Sequence, residues 1–240
     1  MKFMKNEVEN GEGKRSEQAA VSENLSTALR GSEGIMLSCI TIIGQIEGHY
    51  LLSNTQKTTK YEHILPLLAA VEDNPETEGL LVIINTVGGD VEAGLAIAEM
   101  LASMSKPTAS IVIGGGHSIG IPIAVSCDRA FIVPSATMIV HPVRTSGTVL
   151  GVPEAFEGLQ KMQERITDFV LQHSHIQKET WHDLIYSNTE LVTDVGTIVE
   201  GKKAVSLGLM DELGGLSHAM RWLRAEVKKR KAADGEEKTE

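Results

Sequence analysis

The chain has 240 residues, of which 42% are apolar and 22% charged, and its formal net charge at pH 7 is −10. A nucleic-acid-binding protein needs a basic face, so this charge argues against that class. The two cysteines are too few for a disulfide framework, and neither lies in a metal-ligand spacing. No apolar run reaches the roughly 18 residues of a membrane span. The length and the apolar fraction are those of one folded domain with a full core.

The first 34 residues are charged and almost without large apolar side chains, a composition typical of a flexible arm. They lack the apolar core of a signal peptide, so we expect the protein in the cytoplasm. Ordered structure is expected to begin with an apolar strand over residues 35–43. Thr58 or Thr59 then caps a predicted helix that ends near Val71.

Two glycine-rich turns follow, each between a predicted strand and a predicted helix. The apolar run 79–85 has the length of a buried strand, and the turn 85–90 leads into a helical pattern over 91–101. The next strand is predicted over 107–113, with a helix beginning at Ser118. This alternation predicts stacked parallel β-α units in an α/β fold.

Ser118 lies in a Gly-x-Ser-x-Gly pattern at the second turn. Glycines let the backbone bend sharply there, which is how some folds expose a nucleophilic serine, although ordinary loops contain the same pattern. Two short strands are predicted after that helix, and His141 stands at the end of the second. Histidine suits proton transfer near neutral pH. His117 is an alternative base, but adjacent residues usually point apart.

At these residues the chain resembles the ClpP-type serine peptidases, the proteolytic subunits of Clp protease. The likeness covers about residues 79–216. It lies in Asn85–Gly94, Gly116–Gly120, Met138–Pro142 and Ala204–Asp211. The stretch His141–Arg144 is similar to the pattern of the translocation-enhancing TepA branch, and residues 196–216 also resemble signal peptide peptidase A. The resemblance implies a ClpP/crotonase-like superhelix of stacked β-α-β units with a protruding helical handle.

The resemblance also assigns roles at the site. It makes Ser118 the nucleophile and His141 the base, and it makes the N–H groups of Gly89 and Ile119 the oxyanion hole. The implied activity is that of a serine endopeptidase, in itself independent of ATP, which cleaves extended peptides through a Ser-His-Asp acyl-enzyme mechanism. The TepA branch adds a link to protein export. The resemblance implies neither a metal nor another cofactor.

One departure from the family concerns the base. Where the family has its histidine, this chain has Val140, and His141 comes one residue later. On a strand, a shift of one residue moves a side chain to the other face unless a bulge or the strand end intervenes.

A second departure concerns the triad acid. Gly196 stands where the family has its aspartate. Asp194, two residues earlier, would face the same side of a strand and is the best substitute. Asp183, on a predicted helix, and Asp211, in the Gly-Leu-Met-Asp segment, are poorer candidates.

A long helical pattern covers residues 153–186, and its apolar face is expected either at a subunit interface, as in the family's handle, or in the core. His173 and His175 are two residues apart and so face different directions, which argues against a metal pair. We expect a peptidase domain over 35–226 and a charged, solvated tail over 227–240. The partners that the resemblance implies are a peptide or unfolded protein substrate and a homo-oligomeric ring, with docking of an ATP-dependent unfoldase left open.

Three other functions remain open at this stage. The protein could be a proteolytically silent binding or assembly partner in export. It could be an acyl-CoA enzyme of the crotonase type, because that fold also uses paired backbone N–H groups. It could also degrade signal peptides with a Ser-Lys dyad, for which Lys202 or Lys203 is the candidate base.

Overall fold

The structure is a computed structural model that describes residues 26–30, 34–49, 52–53, 55–145, 151–187 and 196–237. Strands within this part are β1 (Ser26–Arg30), β2 (Met36–Glu47), β3 (Thr58–Lys60), β4 (Gly79–Gly89), β5 (Thr108–Gly116), β6 (Arg129–Ile132), β7 (Thr137–Val140), β8 (Thr197–Glu200) and β9 (Glu212–Leu213). Helices are α1 (Tyr61–Asp73), α2 (Val91–Ala102), α3 (Gly120–Val125), α4 (Val152–Gln172), α5 (Lys178–Tyr186), α6 (Gly201–Ser206) and α7 (Leu216–Glu237).

A mostly parallel sheet organises the chain. Its strand order is β1-β2-β4-β5-β6-β9, in which only the edge strand β1 runs antiparallel to its neighbour. β7 leaves this path, pairing with β5 at Gly115 and antiparallel with β8. The alternation of strands and helices confirms the predicted α/β fold.

Both faces of the sheet are buried, which explains the continuous apolar runs of the central strands. One face packs against α1, α2 and α3, and the other packs against α7, whose Leu223 and Val227 meet Leu81 and Phe131 of the sheet. The carboxyl ends of β4 and β5 therefore lie side by side and carry their following turns to one edge.

Ordered structure begins earlier than the sequence predicted. Residues 26–30 form β1, whereas a flexible arm was expected up to residue 34; residues 1–25 lie outside the described part of the chain. A strand at the sheet edge needs only backbone pairing, here with β2, and its side chains are largely exposed, so it leaves little apolar pattern in the sequence.

The predicted threonine cap of α1 is wrong. Thr59 lies in β3, where its buried hydroxyl accepts from the Ile43 N–H and donates to the Ile43 carbonyl, both at 2.8 Å. The helix begins at Tyr61 after Lys60, which makes no side-chain cap. A side chain committed to pairing with a neighbouring strand cannot also cap a helix.

The carboxyl-terminal helix continues past residue 226, where the sequence predicted a tail. Val227 is buried, and the guanidinium of Arg230 lies 3.0 Å from the Asp128 carboxylate and donates to the Ser105 carbonyl at 2.9 Å. These contacts extend the helix to Glu237 because they fasten its last turns to the sheet side of the domain.

The helical pattern over 153–186 forms two helices, not one. At the carboxyl end of α4, Phe169 and Val170 are buried in the core, whereas Val152 and Phe156 near its start are 70% and 61% exposed. Packing in the core is therefore confirmed for the carboxyl-terminal end of α4, and the subunit interface stays a prediction. His173 ends α4 and stacks on Phe169.

Within the described residues, no group of three potential ligand side chains could hold a metal ion. None of the helices that the structure describes is long and apolar enough to cross a membrane.

Candidate active site

Ser118 occupies a strained turn at the head of α3. Its φ is +54°, and among the described residues it is the one non-glycine residue with positive φ. This conformation costs an L-residue roughly 1–2 kcal/mol, so surrounding bonds have to hold it. They do so on both sides, because the Ser118 N–H donates to the Ile139 carbonyl at 2.8 Å and its carbonyl accepts from Ile121 at 2.9 Å.

The glycine-rich end of β4 lies directly against this serine. A side chain at Gly88 would place its Cβ 2.7 Å from the Cβ of Ser118, so only glycine permits the approach. The buried Thr86 holds this segment, since its hydroxyl donates to the Gly44 carbonyl at 2.6 Å and accepts from the Gly88 N–H at 3.0 Å. The turn expected at residues 85–90 is therefore the final part of β4.

The two predicted oxyanion donors flank Ser118. Ile119 follows it in the turn, and its N–H makes no backbone hydrogen bond within the described residues. Gly89 is exposed at the end of β4 and lines the same cavity as Ser118. Backbone N–H groups fixed in advance stabilise a developing oxyanion, and this role for Gly89 and Ile119 stays a prediction.

The end of β7 explains how His141 can lie at this site although it comes one residue after the position of the family histidine. β7 ends at Val140, which is 1% exposed, and His141 follows the strand. Because the alternation of faces ends with the strand, His141 can line the same two cavities as Ser118. Within the described residues the Ser118 hydroxyl has no hydrogen bond, so the two side chains share the cavity without an assembled contact.

His117 has a structural role instead of a catalytic one. Its Nδ1 accepts the Ile139 N–H at 3.1 Å, and it lines neither of the two cavities at Ser118. Partial burial lowers the pKa of its imidazole, and the nearby His141 lowers it further. His117 is therefore a neutral acceptor that anchors β7 to the serine turn.

The structure describes two of the three candidate acids. Asp194 lies outside the described residues. Asp183, which is exposed on α5, and Asp211, whose carboxylate accepts the Ala130 N–H at 2.7 Å, line neither cavity. Lys202 and Lys203 are exposed on α6 and line neither cavity, which argues against the Ser-Lys dyad.

Gly196, at the family's acid position, is packed against His141. A Cβ on Gly196 would stand 2.8 Å from the His141 Cβ and would collide with the Val140 carbonyl. Its φ of +137° also favours glycine. Gly196, directly before β8, therefore packs against the Cα and Cβ of His141.

A partly open cavity of about 180 Å³ adjoins Ser118 and His141. Its lining combines apolar side chains, among them Ile121, Ile166 and Trp181, with the polar side chains of Arg144 and Gln163. A second, more open cavity of about 330 Å³ runs along the end of β4 and is also lined by Ser118 and His141. Together they describe a groove with an apolar pocket beside the nucleophile.

Sequence reasoning missed two residues that shape this site. Thr86 lies inside the glycine-rich segment at the end of β4. A threonine between an apolar strand and a pair of glycines was the sequence signal that could have identified it. Gln163 on α4 accepts the Val143 N–H at 2.8 Å and so fixes the segment after His141. Nothing in a helical pattern marks one glutamine as a tether, because its partner is twenty residues away.

Cys127 offers no alternative nucleophile. Burial raises the pKa of its thiol to about 12, and the thiolate is the reactive form.

Comparison with known proteins identifies the relatives of this chain. A sequence model of the family described as Clp protease matches residues 36–215. The translocation-enhancing protein TepA of Halalkalibacterium halodurans is 58% identical over 80% of this chain and 75% of its own length. The ATP-dependent Clp protease proteolytic subunit 1 of Chlamydia abortus is 24% identical over 55% of this chain and 68% of its own.

A solved structure shares the fold. A point mutant of ClpP1 from Listeria monocytogenes superposes with a TM-score of 0.57 at 19% identity, covering 73% of this chain and 90% of that one.

The strained turn yields a stability prediction. Ser118→Gly should be more stable than Ser118→Ala by about 1 kcal/mol, because glycine adopts positive φ without the Cβ clash and both variants lack the hydroxyl. Denaturant unfolding at one fixed protein concentration measures the difference. An alanine variant as stable as the glycine variant would contradict the claim that this backbone is strained.

Proposed function

Because the chain belongs to the Clp protease family, we propose that it is a serine endopeptidase that cleaves extended peptides through an acyl-enzyme, with Ser118 as nucleophile and His141 as base. The observation that supports this proposal is the joint position of the two residues. Ser118, held in its strained turn, and His141, just beyond β7, line one cavity that an apolar side chain can enter.

The proposed reaction uses only side chains and backbone groups of this chain. The imidazole of His141 takes the hydroxyl proton as the Ser118 Oγ attacks the scissile carbonyl, and the N–H groups of Gly89 and Ile119 receive the oxyanion. His141 then gives the proton to the leaving amine. Water attacks the resulting ester by the same route and releases the second product.

The smaller of the two cavities supports a substrate preference. Ile121, Ile166 and Trp181 contribute apolar wall next to Ser118, and the indole N–H of Trp181 is already directed to the Thr167 hydroxyl at 3.3 Å. An apolar side chain on the acyl side of the scissile bond would gain burial there, whereas a charged one would lose hydration.

We further propose Asp194 as the group that orients His141. Consecutive Cα atoms are about 3.8 Å apart, so the Cα of Asp194 lies no more than about 7 Å from that of Gly196. Since Gly196 packs against His141, this distance is compatible with a carboxylate at position 194 that reaches the imidazole, and it supports the proposal.

An assembly of several subunits is part of the proposal. Val152 and Phe156 expose apolar surface at the start of α4, which is otherwise polar on its outward faces. Covering these side chains against another copy would remove them from water. We propose a ring that encloses the groove in a chamber, with unfolded protein as substrate, an unfoldase as a further partner and the cytoplasm as its location.

A second candidate function is favoured by one comparison. The relative with 58% identity is named for enhancing translocation. On that basis the chain would be a proteolytically silent assembly partner in export, and Ser118 would be unreactive.

Reactivity of Ser118 separates the two functions. A fluorophosphonate probe should label the wild-type protein and leave Ser118→Ala unlabelled. His141→Ala should lower peptide hydrolysis by several orders of magnitude, because a lone serine lacks its base. Lys202→Gln, on the exposed face of α6, should keep the wild-type rate. Absence of labelling in the folded wild-type protein would favour the silent function.

Asp194 is tested by an isosteric change. Asp194→Asn should lower the rate about 10²-fold or more, since an amide cannot stabilise the imidazolium, and should change the free energy of unfolding by less than about 1 kcal/mol. The exposed Asp183→Asn is the matched control. A near-wild-type rate for Asp194→Asn would remove that residue from the mechanism and leave Ser118 and His141 in place.

Light scattering tests the assembly. The wild-type protein should run as a ring of several subunits at micromolar concentration, and Phe156→Glu should shift it towards smaller species, because burying a carboxylate at an interface is costly. Lys161→Glu, on another face of the same helix, should not. A monomeric wild-type protein would contradict the chamber.

A further inference from the structure

The hydroxyl of Thr86 is inserted into the pairing between β2 and β4. This buried side chain donates to the Gly44 carbonyl of β2 at 2.6 Å and accepts the Gly88 N–H of its own strand at 3.0 Å. The register of the two strands shifts directly after Thr86, and Val87 is left out of the pairing with β2. One hydroxyl therefore bridges the two strands at a bulge near the end of β4.

The bulge is followed by two glycines in conformations that other residues avoid. Gly88 has a φ of +88° and Gly89 a φ of +153°. Gly88 lies against Ser118, and the chain then returns to β2, where the Asp90 N–H donates to the Ile46 carbonyl at 3.0 Å. Because alternate residues of a parallel strand pair with the same neighbour, the bond at Asp90 places the Gly89 N–H on the side of β4 that faces away from β2.

Thr86 also contacts the turn that carries Ser118. Its backbone carbonyl accepts the His117 N–H at 3.2 Å. Its methyl group packs on Gly120, where a Cβ would stand 2.5 Å from the methyl carbon. Thr86 therefore joins the segment that contains Gly89 to the turn that contains the proposed nucleophile.

We propose that Thr86 is a positioning residue for the oxyanion hole, whose hydroxyl sets the place and direction of the Gly89 N–H relative to the Ser118 Oγ. The bridge holds this donor before a substrate binds, so the donor does not reorganise as charge develops on the scissile carbonyl oxygen. Thr86 itself lines neither cavity and acts only through its neighbours. This inference rests on the peptidase function proposed above.

The two partners of the hydroxyl explain why a hydroxyl is required. Both are backbone groups, and a buried backbone group needs a hydrogen-bond partner. Without the hydroxyl, the Gly44 carbonyl and the Gly88 N–H satisfy each other only by closing the gap that the hydroxyl now spans. That closure moves the glycine pair towards β2 and the Gly89 N–H away from Ser118. A displacement of about 1 Å at a reacting group costs on the order of 10²-fold in rate.

Thr86→Val tests the proposal, because valine keeps the branched shape and lacks the hydroxyl. It should lower kcat about 10²-fold, the cost of losing one oxyanion donor. Peptide affinity, measured in the Ser118→Ala background, should not change, since the donor acts on the transition state and not on the bound substrate. Thr86→Ser keeps the hydroxyl and should keep kcat close to the wild-type value.

Thr108 provides the matched control at the opposite end of β5 from Ser118. It is also buried, and its hydroxyl donates to the Asp128 carboxylate at 3.2 Å and accepts the Asp128 N–H at 2.9 Å. Thr108→Val therefore removes a similar pair of bonds and should destabilise the fold while keeping the wild-type kcat.

Three results would show the proposal to be wrong. The first is a wild-type kcat in Thr86→Val, and the second is a fall in kcat no larger than that of Thr108→Val. The third is a kcat in Thr86→Ser that is about 10²-fold below the wild-type value, because a hydroxyl at this position would then not suffice. This third result decides the matter even if Thr86→Val does not fold.

A second measurement does not depend on hydrolysis. The Gly88 amide hydrogen, bonded to the Thr86 hydroxyl, should exchange slowly with solvent in the wild-type protein and in Thr86→Ser, as followed by NMR. Exchange at the rate of an unstructured chain in the wild-type protein would overturn the proposal, whether or not Ser118 is reactive. Failure of the peptidase function itself is recognised separately, by absence of probe labelling at Ser118.

Discussion

Two hydrogen bonds to Ile139 tie the turn that carries Ser118 to the strand that leads to His141. The Ile139 carbonyl accepts the Ser118 N–H, and the Ile139 N–H is accepted by the ring of His117. These bonds hold a non-glycine residue in a left-handed conformation and bring the proposed nucleophile and the proposed base, twenty-three residues apart in sequence, to one cavity. The apolar part of the cavity lining and the proposed oxyanion donors lie beside Ser118 only because this attachment holds the turn in place.

The sequence was sufficient where local pattern and tertiary environment agree. The buried strand beginning at Gly79 and the turn at Ser118 could be predicted because a parallel sheet covered on both faces demands continuous apolar runs and glycine turns. His141 could be named as base, but its offset from Val140 could be reconciled only by knowing where β7 ends. The triad acid could not be identified in this way, because Gly196 stands at the position of the family aspartate and residue 194 lies outside the described residues.

Prediction failed where a distant partner overrides the local signal. Threonine is a common residue at helix caps, but Thr59 instead forms hydrogen bonds with Ile43, sixteen residues away. The strand at residues 26–30 and the last turns of α7 are held by β2 and by Asp128, and neither partner can be read from the segment itself. Gln163 is another case, because its role depends on the N–H group of Val143, which follows β7 and lies twenty residues away.

Gly196 also limits which substitutions the chain can accept at the position of the family acid. A carboxylate at position 196 would restore the family pattern in name, but the backbone there has a φ of +137° and any Cβ meets Val140 and His141. Restoring the family acid by one substitution would therefore displace the base it is meant to support. An acid at position 196 would require the backbone there to move first, so this substitution would be tolerated only together with a second, compensating change, which makes the two changes epistatic.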